Sequence, residues 1–233
     1  MILLSILICT VPQRKEFLRR LCNILYTQIS DSKWKDNVEI IVYEDDFKIS
    51  VGEKRNRLLG LANGEYTCFI DDDDTIVDTY IENLLPHLEE SKYDCIGWKY
   101  KFIVGGRQYG PDGICGLQVA KLLGEAGLQK WCESEILMAR PIGHLNPIKR
   151  SITSSVQFFN INRGEDAIWS DEVSILLKNE YFVDIVMYEY QAYPYYSIAT
   201  RKENIENFKD VVFTDFDFEK MRILCFNHII LDT

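Results

Sequence analysis

The sequence predicts an α/β protein, a three-layer sandwich around a mostly parallel sheet. Leu3–Cys9 is apolar except for Ser5, which is typical of a strand buried on both faces, and Val38–Tyr43 is expected to be a second buried strand. Between them, apolar residues recur at helical spacing from Phe17 to Leu25. A strand, a helix and a second strand in this order indicate a parallel βαβ unit, so the loops after the strands should open at one edge of the sheet.

The next elements continue the alternation. A helix is expected from about residue 52 to the helix stop at Asn63-Gly64, and Tyr66–Ile70 is a third buried strand. Asp78–Leu88 carries an apolar stripe at helical spacing, although Pro86 should kink or end that helix.

The second half of the chain is less regular. Ile96–Phe102 alternates like a half-exposed strand and should form a hairpin through Gly105-Gly106, while Cys132–Ala139 and Phe182–Tyr190 indicate further strands. A helix is expected over Ala167–Asn179. Its predicted buried face consists of Ile168, Val173, Leu176 and Leu177. A C-terminal amphipathic helix is predicted from Phe218, Met221, Leu224, Cys225 and Ile229.

Composition narrows the class of protein. The 233 residues carry 36 acidic and 26 basic side chains, and a net charge of -10 argues against polyanion binding over the whole surface. A nucleic-acid acceptor stays possible only through a local basic patch. Seven cysteines without a CxxC pair argue against a zinc site or a disulfide framework and favour a reducing, cytoplasmic location. The apolar start, Met1–Cys9, is too short for a signal peptide, and no apolar run is long enough for a membrane span.

Four aspartates, Asp71–Asp74, directly follow the third strand. On an extended chain Asp71 and Asp73 share one face, and Asp72 and Asp74 lie on the other or turn away. Adjacent carboxylates repel unless a cation compensates, and oxygen ligands on a partly open site suit Mg²⁺ or Mn²⁺. The run is therefore a metal–diphosphate site or a solvated acidic turn, and its place beyond a strand end favours the site.

Charged residues lie at the start of two predicted helices, and each group can be interpreted in two ways. Lys54, Arg55 and Asn56 lie in a first turn, where cations are unfavourable unless an anion such as phosphate binds the free N–H groups; otherwise they are surface charges. Glu165 and Asp166 follow Gly164 at another helix start, where acids act as caps or supply a catalytic carboxylate.

Taken together, these motifs resemble a family 2-type, inverting glycosyltransferase of the GT-A fold. The resemblance covers about residues 3–177. It rests on Cys9-Thr10-Val11-Pro12, the acidic end of the second strand, Gly52-Glu53-Lys54-Arg55-Asn56, the lead of Ala62–Tyr66 into Asp71–Asp74, and Gly164-Glu165-Asp166. It implies one domain over residues 1–233, with the nucleotide-sugar part at about 1–104 and the acceptor side at about 105–233.

The resemblance also implies roles for individual residues. Asp71 and Asp73 match the DxD carboxylates and would bind Mn²⁺ or Mg²⁺, with Asp73 as the more direct ligand. The donor, a nucleotide-sugar of the UDP type, would be bound by Thr10, Pro12, Arg14, Asp45, Lys54, Arg55, Asn56, Asp71 and Asp72. Glu44 competes with Asp45 for contact with the nucleotide base.

Asp166 matches the catalytic base that takes the proton of the acceptor hydroxyl, and Glu165 would orient it. Many relatives have a further metal-binding histidine near the late strand, but Tyr188–Tyr196 contains none. His144 lies in a segment similar to one that borders donor or acceptor in some relatives; the alternative is a turn with a packed imidazole. Tyr193, Tyr195 and Tyr196 either line a sugar-stacking groove or pack internally.

The expected activity is metal-dependent transfer of a hexosyl or pentosyl group to a hydroxyl on a glycan or another acceptor. A nucleotidyltransferase and a non-catalytic nucleotide- or glycan-binding module remain alternatives.

Overall fold

The computed structural model describes residues 1–117, 119, 132–133 and 138–192. Its first half follows the predicted alternation. β1 (Leu4–Thr10) leads through a 3₁₀ turn at Pro12–Arg14 into α1 (Lys15–Ser30), then β2 (Val38–Glu44), α2 (Val51–Leu61) and β3 (Tyr66–Phe69). β1 is parallel to both β2 and β3, as the βαβ prediction requires.

The remaining elements are shorter. They are β4 (Thr75–Ile76), α3 (Tyr80–Glu89), β5 (Cys95–Val104), β6 (Arg107–Gln108), β7 (Gly113–Cys115), β8 (Cys132–Glu133), β9 (Met138–Arg140), β10 (Ile148–Lys149), α4 (Arg150–Thr153), α5 (Glu165–Ser174) and β11 (Glu180–Ala192).

One mixed sheet runs through the described residues, in the order β2-β1-β3-β10-β5-β7-β9-β8. The long strand β11 pairs parallel with β5 and antiparallel with β4, whereas β10 is antiparallel to both β3 and β5. Because β10 lies between β3 and β5, the sheet continues from the first half of the chain into the second. The single-domain prediction for residues 1–233 extends beyond the described part and stays a prediction.

Three details of the predicted elements were wrong. Pro86 does not end α3, because its ring is exposed while Leu84, Leu85 and Leu88 are fully buried, and this packing keeps the last turn helical. Cys132–Ala139 is not one strand: β8 and β9 pair antiparallel, with Cys132 opposite Ala139.

The third concerns α5, which ends at Ser174 rather than Asn179. Its buried residues include Trp169 and Val173, four apart, whereas Ile168 and Leu176 are exposed. The large indole determines which face packs inward. The predicted C-terminal helix at Phe218–Ile229 and the aromatic run Tyr193–Tyr196 lie outside the described residues.

Candidate active site

The carboxyl ends of β1, β2 and β3 meet at one edge of the sheet, next to α2. Asp71–Asp74 follows β3 as a turn, closed by a 3.0 Å hydrogen bond from the N–H of Asp74 to the carbonyl of Asp71. Asp72 and Asp74 are buried, while the side chains of Asp71 and Asp73 are 33% and 15% exposed. Burial therefore alternates along the run, but the run is a turn rather than the extended strand of the prediction, and Asp71 and Asp73 pair with different cations, Arg55 and Arg14.

Asp72 is held from two sides. The Thr10 hydroxyl donates to one carboxylate oxygen at 2.6 Å, and the Arg14 guanidinium pairs with the other at 2.6 Å. Arg14 also pairs with Asp73. Burial raises the pKa of Asp72 to about 7, against the opposing effects of Arg14 and Thr10. Part of the repulsion in the acidic turn is therefore offset by Arg14.

Asp74 has partners that the sequence did not indicate. Tyr188 on β11 donates its hydroxyl to Asp74 at 2.6 Å, and the N–H of Gln191 donates to the other oxygen at 2.7 Å. Arg20 on α1 donates to the carbonyls of Asp73 and Asp74, at 2.9 and 3.1 Å. Tyr188 lies in the late strand near which many relatives have a metal-binding histidine. That position was the only indication of Tyr188 in the sequence. The acidic turn is therefore held by hydrogen bonds from both α1 and β11.

Lys54 joins the ends of β1 and β2. Its ammonium group pairs with Asp45 and donates to the carbonyl of Thr10 at 3.1 Å. The other carboxylate oxygen of Asp45 accepts the N–H groups of Lys48 and Ile49, at 2.6 and 3.1 Å. Lys54 and Asp45 therefore connect the ends of β1 and β2 and stabilise the loop after β2.

Arg55 connects the acidic turn to α5. Its guanidinium donates to Glu165 at 2.8 Å and to Asp71 at 3.3 Å. It also lies 3.1 Å from the Nε2 atom of His144, and because a guanidinium has no acceptor, this ring nitrogen must be the acceptor. Lys54 and Arg55 are both buried, so the surface-charge interpretation is wrong for them.

The start of α5 has a buried and a half-exposed carboxylate. Glu165 is buried against Arg55, and burial raises its pKa to about 7. Asp166, the predicted base, is the next residue and is half-buried. The N-cap position is Gly164, in a left-handed conformation, and Glu165 and Asp166 are the acids of the first turn. Their stabilising role at the positive end of the helix and the catalytic role both stay predictions.

The predicted phosphate site at the start of α2 is wrong. The N–H groups of Val51 and Gly52 donate to Asn162 and Ile161, at 3.0 and 3.2 Å. The next two N–H groups donate to the cap residue Ser50. No N–H group of this first turn is left for an anion.

Asn56 and Pro12 lie apart from the charged groups. The amide of Asn56 donates to the carbonyl of Phe158 at 2.9 Å and accepts its N–H at 2.8 Å. Pro12 is exposed at the start of the 3₁₀ turn. His144 follows Gly143 in a turn and packs near the Phe69 ring, in line with the packed-imidazole alternative, but it also contacts Arg55.

Oxygen donors for a metal are present, though not as a preformed cage. Within the described residues, no three His, Cys, Asp or Glu side chains are grouped so that they could hold an ion. Asp71 and Asp73 are the partly exposed members of the acidic turn, and their hard oxygen atoms fit Mg²⁺ or Mn²⁺ in a site completed by water and phosphate oxygens. None of the helices described is long and apolar enough to cross a bilayer.

Comparison with known proteins bears on the fold. Residues 50–136 match the model of the family described as glycosyl transferase family 2. The structure of S. aureus TarS 1–349 in complex with UDP-GlcNAc is similar at a TM-score of 0.59 and 14% identity, covering 100% of this chain and 68% of that one. Residues 50–136 are thus similar to glycosyl transferase family 2, and the likeness to TarS shows that the fold is of the GT-A type. No curated protein matches the sequence.

Two further TarS structures have the same fold. The 1–349 fragment in complex with UDP gives a TM-score of 0.58 at 15% identity, with 83% of this chain and 61% of that chain covered. S. aureus TarS without a stated fragment gives 0.56 at 13% identity, with 98% and 43% covered. This chain covers only 60% of the length of the first TarS fragment matched. At this level of identity the likeness shows the fold.

Proposed function

We propose that this protein is a metal-dependent, inverting glycosyltransferase that moves a sugar from a nucleotide-diphosphate sugar to an acceptor hydroxyl. The observation that carries the proposal is the double contact of Arg55. One guanidinium pairs with Asp71 in the acidic turn and with Glu165 at the start of α5, at 3.3 and 2.8 Å. It brings the carboxylates expected at the donor diphosphate next to the helix expected to supply the base.

The donor would lie along the ends of β1 and β2. Thr10, Pro12, Arg14, Asp45 and Lys54 border this edge, and Arg55, Asp71 and Asp72 border the diphosphate. Structural neighbours were determined with UDP and UDP-GlcNAc, which makes UDP-sugars the first donors to test. Asn56 is left out of this set because both ends of its amide are bound to Phe158.

Asp71 and Asp73 would hold Mn²⁺ or Mg²⁺, which when bound neutralises charge on the departing diphosphate. Asp166 takes the proton of the acceptor hydroxyl as that oxygen forms a bond to the anomeric carbon. The bond between this carbon and the diphosphate breaks on the opposite face, and the electron pair leaves with the nucleoside diphosphate. Arg55 and Glu165 orient the first turn of α5 and hence Asp166.

The acceptor is a glycan or another hydroxyl-bearing molecule. The proposal also places the protein in a reducing compartment, the cytoplasm, because the cysteines of the described part of the chain are free thiols. These are Cys9, Cys22, Cys68, Cys95 and Cys115.

A donor panel tests the proposal. The protein is incubated with UDP-sugars and other nucleotide-sugars, with Mn²⁺ or with EDTA, and products are separated by chromatography. We expect metal-dependent release of a nucleoside diphosphate, increased by an acceptor from a glycan library. Release of pyrophosphate from a nucleoside triphosphate would instead indicate a nucleotidyltransferase, and nucleotide binding without turnover a binding module.

The Asp166→Asn variant tests the base. We expect transfer to fall about 10²–10⁴-fold with donor affinity unchanged, because only proton transfer is lost. Asp171→Asn, on the same helix, is the matched control and should transfer at the wild-type rate. Wild-type transfer by Asp166→Asn would move the role of base to another residue, first to Glu165.

A further inference from the structure

Residues 158–162, here called the strap, run across the first turns of α2 although they are about 100 positions away in sequence. Asn56 binds the strap at one end through its two hydrogen bonds with the backbone of Phe158, at 2.9 and 2.8 Å. At the other end, the Asn162 side chain accepts the N–H of Val51 at 3.0 Å. Between them, the hydroxyl of Ser50 donates to Asn160 at 2.6 Å. The strap is therefore attached along its whole length.

The close approach of strap and helix depends on Gly52. Its N–H donates to the carbonyl of Ile161 at 3.2 Å. A Cβ atom built on Gly52 would lie 1.8 Å from the backbone oxygen of Phe159, which is far inside contact distance. Any larger residue at position 52 must displace the strap, because the atom in the way belongs to the backbone.

Phe158, the first residue of the strap, packs against residues of the candidate active site. Its ring stacks on Trp169 of α5, with centroids 4.6 Å apart and planes at 7°. On other sides it meets the edge of Phe69, the last residue of β3, and the guanidinium of Arg55 at 5.4 Å from the ring centroid. The indole N–H of Trp169 donates to the carbonyl of Val156 at 3.2 Å, just before the strap. One ring thus touches α5, the strand before the acidic turn, and the cation between them.

We propose that Asn56 and Gly52 are positioning residues: through the strap and Phe158 they set the distance between the start of α5, with Asp166, and the acidic turn Asp71–Asp74. This inference rests on the proposed function for the role of Asp166. It assigns Asn56 to the support of the base rather than to the nucleotide. Small displacements matter in such a site because proton transfer and attack require near-contact geometry.

Two pairs of variants test the proposal: both members of the first pair lie on α2, and the second pair compares α2 with a position just beyond its end. Gly52→Ala inserts a methyl group against the strap, and its control Gly60→Ala places one on the same helix where nothing lies within 4 Å. Asn56→Ala removes both hydrogen bonds to Phe158. Its control Asn63→Ala removes the amide contacts with Glu39 and Leu61 that lie just beyond the end of the helix.

The first readout needs no substrate. Hydrogen exchange followed by mass spectrometry should show peptides covering residues 158–170 exchanging about tenfold faster or more in Gly52→Ala and Asn56→Ala, and unchanged in both controls. The second readout is kinetic, with the donor identified by the panel. We expect kcat to fall about 10–100-fold, while the donor KM and the calorimetric Kd for UDP in Mn²⁺ stay within about twofold.

The outcomes separate this proposal from the proposed function. Unchanged exchange in residues 158–170 of both variants overturns the positioning role, whatever the wild-type protein catalyses. Weaker UDP binding by Asn56→Ala with wild-type kcat also overturns it and returns Asn56 to the nucleotide site. Lack of turnover by the wild type counts against the proposed function and leaves the exchange result to be decided separately. If Gly52→Ala does not fold, Asn56→Asp, which keeps an acceptor for the N–H of Phe158, must show a smaller change of the same kind.

Discussion

Replacing Arg55 by Met removes a buried cation and keeps most of the side chain that packs on Phe69 and Phe158. The closest partner of Arg55 is Glu165, and both side chains are only 6% exposed. Without the cation, an ionised Glu165 would be buried next to no compensating charge, which typically costs about 3–5 kcal/mol. Protonation of Glu165 removes the buried charge and avoids this destabilisation. The free energy required for the protonation depends on the pH.

The magnitude follows from the pKa of Glu165, which burial raises from 4.5 to about 7 although Arg55 opposes the shift. Because the folded pKa is the higher one, this group's contribution to stability is fully present below pH 4.5 and is lost as the pH rises to 7. In Arg55→Met the pKa rises further, so the loss continues above pH 7. Relative to the wild type, holding Glu165 protonated costs about 1.4 kcal/mol at pH 8 and about 2.7 kcal/mol at pH 9.

The pair of Arg55 with its second partner, Asp71, contributes a pH-independent part of the stability lost in Arg55→Met. Its side chain is one-third exposed, so the pair at 3.3 Å contributes about 1 kcal/mol or less. In the wild type, against the effect of burial, the charges of Arg55 and Arg14 help to hold the pKa of Asp71 below its usual range. In Arg55→Met, Arg14 remains and the Asp71 side chain is partly exposed, so we expect Asp71 to stay ionised above pH 6 and the pH-dependent part of the change to report on Glu165.

The assay is urea denaturation of the wild type and of Arg55→Met at pH 6, 7, 8 and 9. Arg57→Met is the matched control, because Arg57 lies on the same helix and its pair with Glu53 is on the surface. The free energy of unfolding lost in Arg55→Met should be constant up to pH 7 and then grow by about 1.4 kcal/mol per pH unit, while the control stays flat. A flat profile for Arg55→Met up to pH 9 would refute the pairing of Arg55 with Glu165.

Two further predictions concern the acidic turn. Thr10→Val removes the hydroxyl that donates to the buried Asp72, whose pKa is about 7. At pH 8, where Asp72 is ionised, urea denaturation should show a loss of about 1–3 kcal/mol in the free energy of unfolding, and the loss should be smaller at pH 6. An equal loss in the exposed helical control Thr27→Val would contradict the reasoning. Asp73→Asn should weaken the binding of UDP in Mn²⁺, measured by calorimetry, by about tenfold or more relative to the wild type. The two proteins should not differ in EDTA, and the control Asp78→Asn should bind UDP like the wild type. Wild-type affinity of Asp73→Asn for UDP in Mn²⁺ would remove Asp73 from the proposed metal ligands.

The sequence determined the first half of the fold because the information there is local. Leu3–Cys9, Val38–Tyr43 and Tyr66–Ile70 are predominantly apolar, and strands β1, β2 and β3 lie within one residue of these limits. The prediction that β2 is a buried strand was wrong, because β2 ends the sheet order and most of its residues are only half-buried or exposed. The apolar spacing along α3 correctly gave its buried face. The same local patterns placed Asp71–Asp74 at the end of β3 and Glu165-Asp166 at a helix start, where the structure has them.

Only the tertiary structure decided what those residues contact. The first turn of α2 looks open to an anion in sequence, but the strap about 110 positions later accepts two of its N–H groups and Ser50 accepts the other two. Asn56 looks like part of a basic motif, yet it binds Phe158, and Arg55 bridges Asp71 to Glu165 from two distant segments. Hydrophobic periodicity specifies which face of an element is buried, but not which distant segment supplies the hydrogen-bond partners there. That choice depends on where the strap lies against α2, which no local pattern records.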